Sequence, residues 1–283
     1  MLVHTTASPL FRPRTFGSLA AALVLQCAVL PALANDGQGS ARHNFSGPWY
    51  YDLDLERSRV SNDLIEDAGA TRDGIAAGAR ARGIAIKREG GGRQPEVVLD
   101  TSARSRVLVV QADATPPGTL KDRSELQLFG RVTFDRSWKL GLRVFIPNTI
   151  HFTDNWHLMA QCHQSGGDGA LSPPLSLNLI APNKIALVSR SDADRFDALV
   201  TEVMPKNRWV RIELVFRMGD RGHVTMWMDG RKVIDRDARL RFKAGKDECA
   251  LKLGIYRGRA DKPFEIRFDD IRFGDAGSAA PLR

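Results

Sequence analysis

The segment Lys139-Leu-Gly-Leu-Arg-Val-Phe-Ile146 places an apolar side chain at every even-numbered position. Successive side chains of a β-strand project to opposite faces of its sheet, so this period of two predicts a strand with one buried face. The runs Val210 to Phe216 and Phe264 to Asp269 repeat the pattern. Turn signals such as Asp229-Gly230 separate the runs, which is typical of hairpins between antiparallel strands. The chain is therefore predicted to be all-β, a sandwich or a jelly roll.

One stretch departs from this alternation. Residues 62–82 are rich in alanine and interrupted by glycines. Alanine favours helices, whereas glycine in a helix interior is unfavourable. We expect loops in this region, with one short helix at most. Nothing in the sequence marks a second domain, and the length of the chain is compatible with one large β domain.

The N-terminus has the pattern of a secretory signal. Arg12 and Arg14 precede the apolar stretch Leu19 to Leu33, and Ala32-Leu-Ala34 supplies the small residues of a cleavage site. The apolar stretch is short for a membrane span, so we expect export, to the periplasm or as a secreted protein, and no membrane anchor. The expected segments are a signal peptide at 1–34, a lead-in at 35–48, the β domain at 49–276 and a tail at 277–283.

The charge of the chain favours an anionic partner. The formal net charge is +8, and loss of Arg12 and Arg14 with the signal would leave +6. An acidic polysaccharide, an acidic lipid surface or nucleic acid would suit this charge, but export argues against nucleic acid. Basic and acidic residues are interleaved, so many of them would be ordinary surface charges. Cys162 and Cys249 would remain after cleavage, and a disulfide or two buried thiols are equally compatible with the sequence.

Three separate segments each place polar side chains on one face of a strand. They are Arg123-Ser-Glu-Leu-Gln127, Gln161-Cys-His163 and Lys252-Leu-Gly-Ile-Tyr256. If the three strands share a sheet, an arginine, an amide, an imidazole, a lysine and a phenol converge on one surface. That set suits proton abstraction beside a carboxylate. Gly254, between two long polar side chains, would leave room for a ligand against the sheet.

Each segment alone also has an ordinary structural explanation. Arg123 and Glu125 could form surface ion pairs, His163 could be a surface residue, and Tyr256 could lie on a half-exposed strand. The sequence has no nucleophile elbow, zinc-protease motif, phosphate loop or C-x-x-C pair. No pair of acids is placed as a glycoside hydrolase requires. The order of the three segments therefore carries more information than any one of them.

In that order and strand phase, the segments resemble the signature motifs of jelly-roll polysaccharide lyases. These are the alginate lyases of family 7, the glucuronan lyases of family 20 and the heparin lyase I group. Pro173-Pro-Leu-Ser-Leu177 and Lys252-Leu-Gly-Ile-Tyr-Arg257 are more similar to the heparin and glucuronan branch. The resemblance covers about residues 95–275. It implies a β-jelly roll, a concanavalin-like two-sheet sandwich with a concave substrate cleft. Where this chain has Gln127, alginate lyases usually have a second arginine.

The resemblance also implies roles for individual residues. The catalytic residues would be Tyr256, His163, Gln161 and Arg123. The substrate-binding residues would be Lys252, Glu125, Gln127 and Arg257. Either His163 removes the C5 proton of a uronate while Tyr256 protonates the leaving oxygen, or Tyr256 does both, according to the stereochemistry of the substrate. No cofactor is expected to be required, and a structural calcium ion is implied by the resemblance alone.

The function expected from these features is β-elimination of a 4-linked uronic-acid-containing polysaccharide, with glucuronan, heparin-like chains and alginate as candidates. The protein is expected to act as a monomer. The alternative is a non-catalytic carbohydrate-binding β-sandwich, which would depend on an aromatic surface more than on an imidazole and a phenol. A third possibility is a glycoside hydrolase of the same architecture, in which Glu125 would pair with another acid rather than with an arginine.

Overall fold

The computed structural model describes most of the chain between residues 49 and 276. The gaps in this range are residues 54, 57–58, 62–63, 67–83, 129–131, 135, 153–154, 165, 167–172, 192–195 and 243–244. The predicted signal peptide, lead-in and tail lie outside the described residues. Within the described part of the chain, no helix has the length and apolar content needed to cross a membrane.

The described residues form 18 strands. In chain order they are β1 Trp49–Asp52, β2 Arg59–Ser61, β3 Leu64–Glu66, β4 Ile84–Glu89, β5 Glu96–Asp100, β6 Ser105–Ala112, β7 Lys121–Gln127, β8 Val132–Thr133, β9 Ser137–Phe145, β10 His157–Gln164, β11 Leu175–Ile180, β12 Lys184–Arg190, β13 Phe196–Val203, β14 Trp209–Arg217, β15 Gly219–Met228, β16 Arg231–Leu240, β17 Glu248–Gly258 and β18 Phe264–Asp275.

These strands form two antiparallel sheets. In sheet 1 the order is β16-β15-β14-β9-β18-β6-β5, with β1 also paired to β18. In sheet 2 the order is β13-β12-β11-β10-β17-β7-β4-β3-β2, with β8 also paired to β17. Strands that are neighbours in space are often far apart in sequence, as the contacts of β17 with β7 and β10 illustrate.

The two sheets share one hydrophobic core, which confirms the predicted all-β jelly-roll sandwich. The even-numbered residues of β9 are buried, as are those of β14. Each fully buried Val, Leu, Ile or Phe side chain contributes about 1.5–3 kcal/mol relative to an exposed one. The core therefore selects which face of strands such as β9 and β14 turns inward. The other face of sheet 2, which points away from this core, is called the outer face below.

Residues 64–66 differ from the expectation of loops or a helix in the alanine-rich stretch. They form β3, which pairs with β2 and β4. Leu64, Ile65 and Glu66 are too few to produce a recognisable alternation, so pairing with neighbouring strands decides their conformation. The rest of residues 62–82 lies outside the described residues.

A disulfide joins Cys162 to Cys249, which decides the question that the sequence leaves open. The two Cα atoms are 5.4 Å apart. Cys162 lies in β10 and Cys249 in β17, and these strands pair directly. The bond therefore joins two neighbouring strands through cysteines that are 87 residues apart in the sequence.

Removing this disulfide is expected to destabilise the protein strongly. A Cys162→Ala/Cys249→Ala double variant should lose about 2–5 kcal/mol of unfolding free energy, because the uncrosslinked unfolded chain gains conformational freedom. Urea unfolding, followed by tryptophan fluorescence, measures the change. The oxidised parent chain is the reference. An unchanged midpoint would contradict the expectation.

Candidate active site

The three sequence segments lie on adjacent strands, because β17 is hydrogen-bonded to β7 on one side and β10 on the other. Across β7, Tyr256 pairs with Arg123 and Lys252 pairs with Gln127. Across β10, Lys252 pairs with Gln161. The prediction that these segments share a sheet and a strand phase is therefore confirmed.

The aromatic ring of Tyr256 is flanked from both neighbouring strands. The Arg123 guanidinium carbon lies 4.3 Å from the ring centroid, within range of a cation–π contact. On the β10 side, Trp156 meets the ring in a T-shaped arrangement with centroids 4.8 Å apart. Tyr256 itself is half-buried. These contacts fix the ring laterally at the outer face of sheet 2.

Arg123 is held by two carboxylates. Its Nε atom lies 3.5 Å from Glu125 Oε2 and 4.0 Å from Glu89 Oε2. The Arg123 side chain is 23% exposed, so solvent still reaches part of it. Glu89 also pairs with Lys121 at 3.3 Å. The planar fork of an arginine suits a carboxylate ligand, and two acidic neighbours reduce the number of positions it can adopt.

The Glu125 side chain has the same strand phase as Arg123, but it is covered by its neighbours and is not accessible at the outer face. The side chain is only 1% exposed, and Oε1 accepts a 2.5 Å hydrogen bond from Gln161 Nε2. The expectation that Glu125 contacts substrate does not hold, because its carboxylate is covered and turned towards Gln161 and Arg123. Its partner is an arginine, the arrangement that argues against a glycoside hydrolase pair. Burial raises the pKa of Glu125, against the opposing influence of Gln161, Lys252 and Arg123.

Gln161 is buried together with Glu125. One amide N–H is committed to Glu125, while Gln161 Oε1 has no hydrogen-bond partner. The hydrogen bond to Glu125 fixes the orientation of the amide. A buried polar atom without a partner is costly, and such costs are typical of sites that are completed by a ligand. The Gln161 side chain is as covered as that of Glu125, at 1% exposed, so its direct contact with substrate stays a prediction.

The electrostatic surroundings favour a neutral His163. Burial lowers the pKa of the His163 imidazole, and the nearby positive charges of Lys252 and Arg123 lower it further. Burial likewise lowers the pKa of Lys252, with Glu125 acting in the opposite direction. A group whose pKa is depressed below that of free histidine is unprotonated in neutral solution. His163 can therefore accept a proton.

Gly254 is required for a different reason from the one the sequence indicates. Its backbone has φ of +143°, a conformation that residues with a side chain rarely adopt. A Cβ atom there would collide with the backbone carbonyl of Ser124 in β7. Gly254 also lies at the irregularity where the register between β10 and β17 shifts. The glycine thus permits close strand approach at a bulge rather than leaving space for a ligand.

The prediction that Arg257 binds substrate is wrong. Arg257 follows Tyr256 on the same strand, so its side chain points to the opposite face and is completely buried. Arg257 Nε donates to Asp122 Oδ2 at 2.9 Å, and Nη2 donates to the Asp113 carbonyl at 2.7 Å. Asp122 Oδ2 also accepts from the Thr115 hydroxyl at 2.7 Å. Arg257 therefore links β17 to Asp122 of β7, on the side of the strand opposite Tyr256.

Neutralising Asp122 is expected to cost about 3–5 kcal/mol of unfolding free energy, because Arg257 would keep a buried charge without its counter-ion. Asp122→Asn preserves the volume but replaces one accepting oxygen with a donor. The matched control is Glu202→Gln, whose partner Arg231 is largely exposed. That pair should contribute less than about 1 kcal/mol. Equal losses in thermal and urea unfolding of the two variants would contradict the expectation.

Gln127 lies half-buried on the same face of β7 as Arg123. Three further residues at this face were not identified from the sequence: Glu89, Lys121 and Trp156. Glu89 approaches Arg123 because β4 pairs with β7, whereas Lys121 belongs to β7 itself and its Nζ atom lies 5.8 Å from the centroid of the Tyr256 ring. The alternation in Ile84 to Glu89 could have indicated a strand, but not its neighbour.

The described residues contain no group of three or more histidine, cysteine, aspartate or glutamate side chains arranged to hold a metal ion. The acids at the site are already engaged, since Glu125 and Glu89 approach Arg123. This donor set does not fit a calcium ion, which prefers several oxygen ligands. Calcium at another position stays a prediction.

Comparison with solved structures agrees with the fold of the chain. Endo-β-1,4-glucuronan lyase from the fungus Trichoderma reesei shares the fold, with a TM-score of 0.53, 15% identity and coverage of 83% of this chain and 100% of that chain. Alginate lyase Aly36B is more distant, with a TM-score of 0.48, 12% identity and coverage of 66% and 86%. No curated protein sequence matches the chain.

A family model described as polysaccharide lyase matches residues 85–272. The match includes most of β4, all of β5 to β17 and most of β18, and with them every residue of the candidate site discussed above. It spans well over half of the 283 residues. The chain therefore belongs to the polysaccharide lyase family and is an enzyme that breaks polysaccharide chains.

Proposed function

We propose that the enzyme cleaves a 4-linked, uronic-acid-containing polysaccharide by β-elimination and leaves an unsaturated uronate end. The observation that carries this proposal is the contact of Arg123 with Tyr256 on the outer face of the sheet that also carries His163 on β10. A carboxylate-binding cation thus lies against a phenol, and its charge also acts on the imidazole of His163. The family match supports the same class of reaction.

In the proposed reaction, Arg123 binds the carboxylate of the uronate, and Gln161 assists as an amide donor. This neutralisation makes the C5 proton more acidic and stabilises the enolate-like intermediate. A base takes the C5 proton, the C4–C5 double bond forms, and the bond from C4 to the glycosidic oxygen breaks. That oxygen receives a proton and leaves with the neighbouring sugar.

Two assignments of the proton transfers are proposed, according to the stereochemistry of the substrate. His163 acts as the base and Tyr256 as the acid where proton and leaving group lie on opposite faces of the sugar. Tyr256 performs both steps where they lie on one face. Glu125 does not touch substrate in either case. Its buried carboxylate orients Gln161 and Arg123 and so acts as a positioning residue.

The substrates to test are glucuronan, alginate and heparin-like chains, with pectate as a further uronate polymer. The mature protein is incubated with each, and the ultraviolet absorbance of the conjugated uronate is followed together with the formation of reducing ends. Elimination gives both signals. Reducing ends without the chromophore would instead indicate hydrolysis, and this result would overturn the proposal.

Export forms part of the proposal and rests on the pattern of residues 1–34. An enzyme acting on polymers would need to be outside the cytoplasm, in the periplasm or secreted. Mass spectrometry of the protein recovered from an exporting host checks this expectation. A mature chain that begins at Asn35 supports export, whereas a chain that retains residues 1–34 contradicts it.

A further inference from the structure

Trp156 is an exposed aromatic residue at the edge of the site. It is 42% exposed, and it belongs to a small set of large apolar side chains that face solvent in the described chain. A single exposed apolar residue is common and needs no explanation by itself. Trp156 is distinguished by its ring contact with Tyr256, with centroids 4.8 Å apart.

The position of Trp156 is fixed by the end of β17. Its backbone N–H donates to Asn155 Oδ1 at 2.9 Å, and its carbonyl accepts from the Gly258 N–H at 3.0 Å. Asn155 Nδ2 in turn donates to the Arg259 carbonyl at 3.3 Å. Gly258 leaves the space that the Asn155 side chain occupies, since a Cβ atom there would collide with it. A side chain on such a fixed backbone loses less freedom when a ligand binds.

Trp156 and Arg123 lie on opposite sides of Tyr256. Arg123 belongs to β7 and Trp156 directly precedes β10, while β7 and β10 flank β17 from its two sides. In the proposed reaction Arg123 holds the carboxylate of the sugar that loses its proton. Tyr256 lies next to the bond that breaks. The sugar beyond that bond, which departs with the glycosidic oxygen, therefore lies towards Trp156.

An indole ring suits this second sugar. A pyranose carries hydroxyl groups around its rim, but its faces present C–H bonds with partial positive charge. The face of an aromatic ring carries partial negative charge and a large apolar area. Stacking requires no charge on the sugar, so it complements the ion-pair recognition by Arg123.

We propose that Trp156 is a stacking platform for the sugar on the leaving-group side of the scissile bond, an inference that rests on the proposed elimination. It makes Trp156 a substrate-binding residue in addition to its packing against Tyr256. Loss of the platform should weaken the binding of oligosaccharides that reach across the bond.

Two variants separate stacking from packing. Trp156→Phe keeps an aromatic face, whereas Trp156→Leu keeps apolar bulk against Tyr256 but has no aromatic face. We expect Leu to raise KM about tenfold, equivalent to about 1.4 kcal/mol, with a smaller change in kcat. Phe should recover most of the affinity. Phe196→Ala is the control, since Phe196 is an exposed aromatic residue of edge strand β13.

Calorimetric binding of an oligouronate to the same variants, in a Tyr256→Phe background, gives a readout that is independent of turnover. Equal affinities of the Leu and Phe variants, or a fall in kcat at constant KM, would overturn the platform. The proposed function fails separately, when the wild-type enzyme yields no unsaturated product from any polymer. Calorimetry with the polymer that binds then decides the role of Trp156 alone.

Discussion

Tyr256→Phe is expected to lower kcat for elimination by about 10²–10⁴-fold, the usual cost of removing a positioned acid or base. The phenol oxygen is the group within the site that both proposed assignments require. Phenylalanine keeps the ring, and with it the contacts to Arg123 and Trp156. The fold and the affinity for substrate should therefore change little.

This expectation is measured from the initial rate of chromophore formation at saturating substrate. Thermal unfolding and calorimetric binding of an oligouronate serve as controls for the fold and the binding surface. The expected combination is a large loss in kcat with unchanged stability and affinity. A variant that retains more than about a tenth of the wild-type kcat would remove Tyr256 from the mechanism.

His163→Ala is expected to lower kcat by a similar factor, about 10²–10⁴-fold, if the imidazole removes the C5 proton. The active form is then the neutral imidazole, whose pKa is lowered by burial, Lys252 and Arg123. Activity should be complete above pH of about 6.5, the value of free histidine, and should fall only as the pH drops through the lower pKa of His163. Wild-type kcat/KM measured against pH shows this acidic limb.

Lys252 provides the matched test of the electrostatic cause. Lys252→Met removes a positive charge near His163, so the acidic limb should move to higher pH, towards the value of free histidine. Lys252→Arg keeps the charge and should leave the limb near its wild-type position. Arg123 is a second positive charge that lowers the pKa of His163, and it is present in both variants. A limb that stays fixed in both variants would favour the assignment in which Tyr256 performs both transfers.

Much of the fold was predictable because strand alternation is a local property. Leu140, Leu142 and Val144 turn inward together, as their spacing requires. The same rule correctly placed Arg123, Gln161 and Tyr256 on a common face. The rule also placed Arg257 on the opposite side of its strand from Tyr256. The structure confirms this placement and contradicts the substrate-binding role that the resemblance implies for Arg257.

The remainder depended on which strands become neighbours. Glu89 approaches Arg123 because β4 pairs with β7, and no local pattern in β4 specifies that partner. The contact of Glu125 with Gln161 has the same origin, since Gln161 lies on β10, on the far side of β17 from β7. The backbone of Gly254 is set by a register shift between strands far apart in sequence. Trp156 precedes β10 and lies outside any alternating run, so its contact with Tyr256 has no sequence signal.

The bond between Cys162 and Cys249 has a practical consequence for producing the enzyme. It connects β10 and β17, the strands that carry His163 and Tyr256. Protein made in a reducing cytosol would keep both cysteines as thiols, because glutathione and thioredoxin oppose oxidation there. Such a preparation would test a different molecule. Expression in an oxidising compartment, followed by a thiol count, should therefore precede every activity measurement.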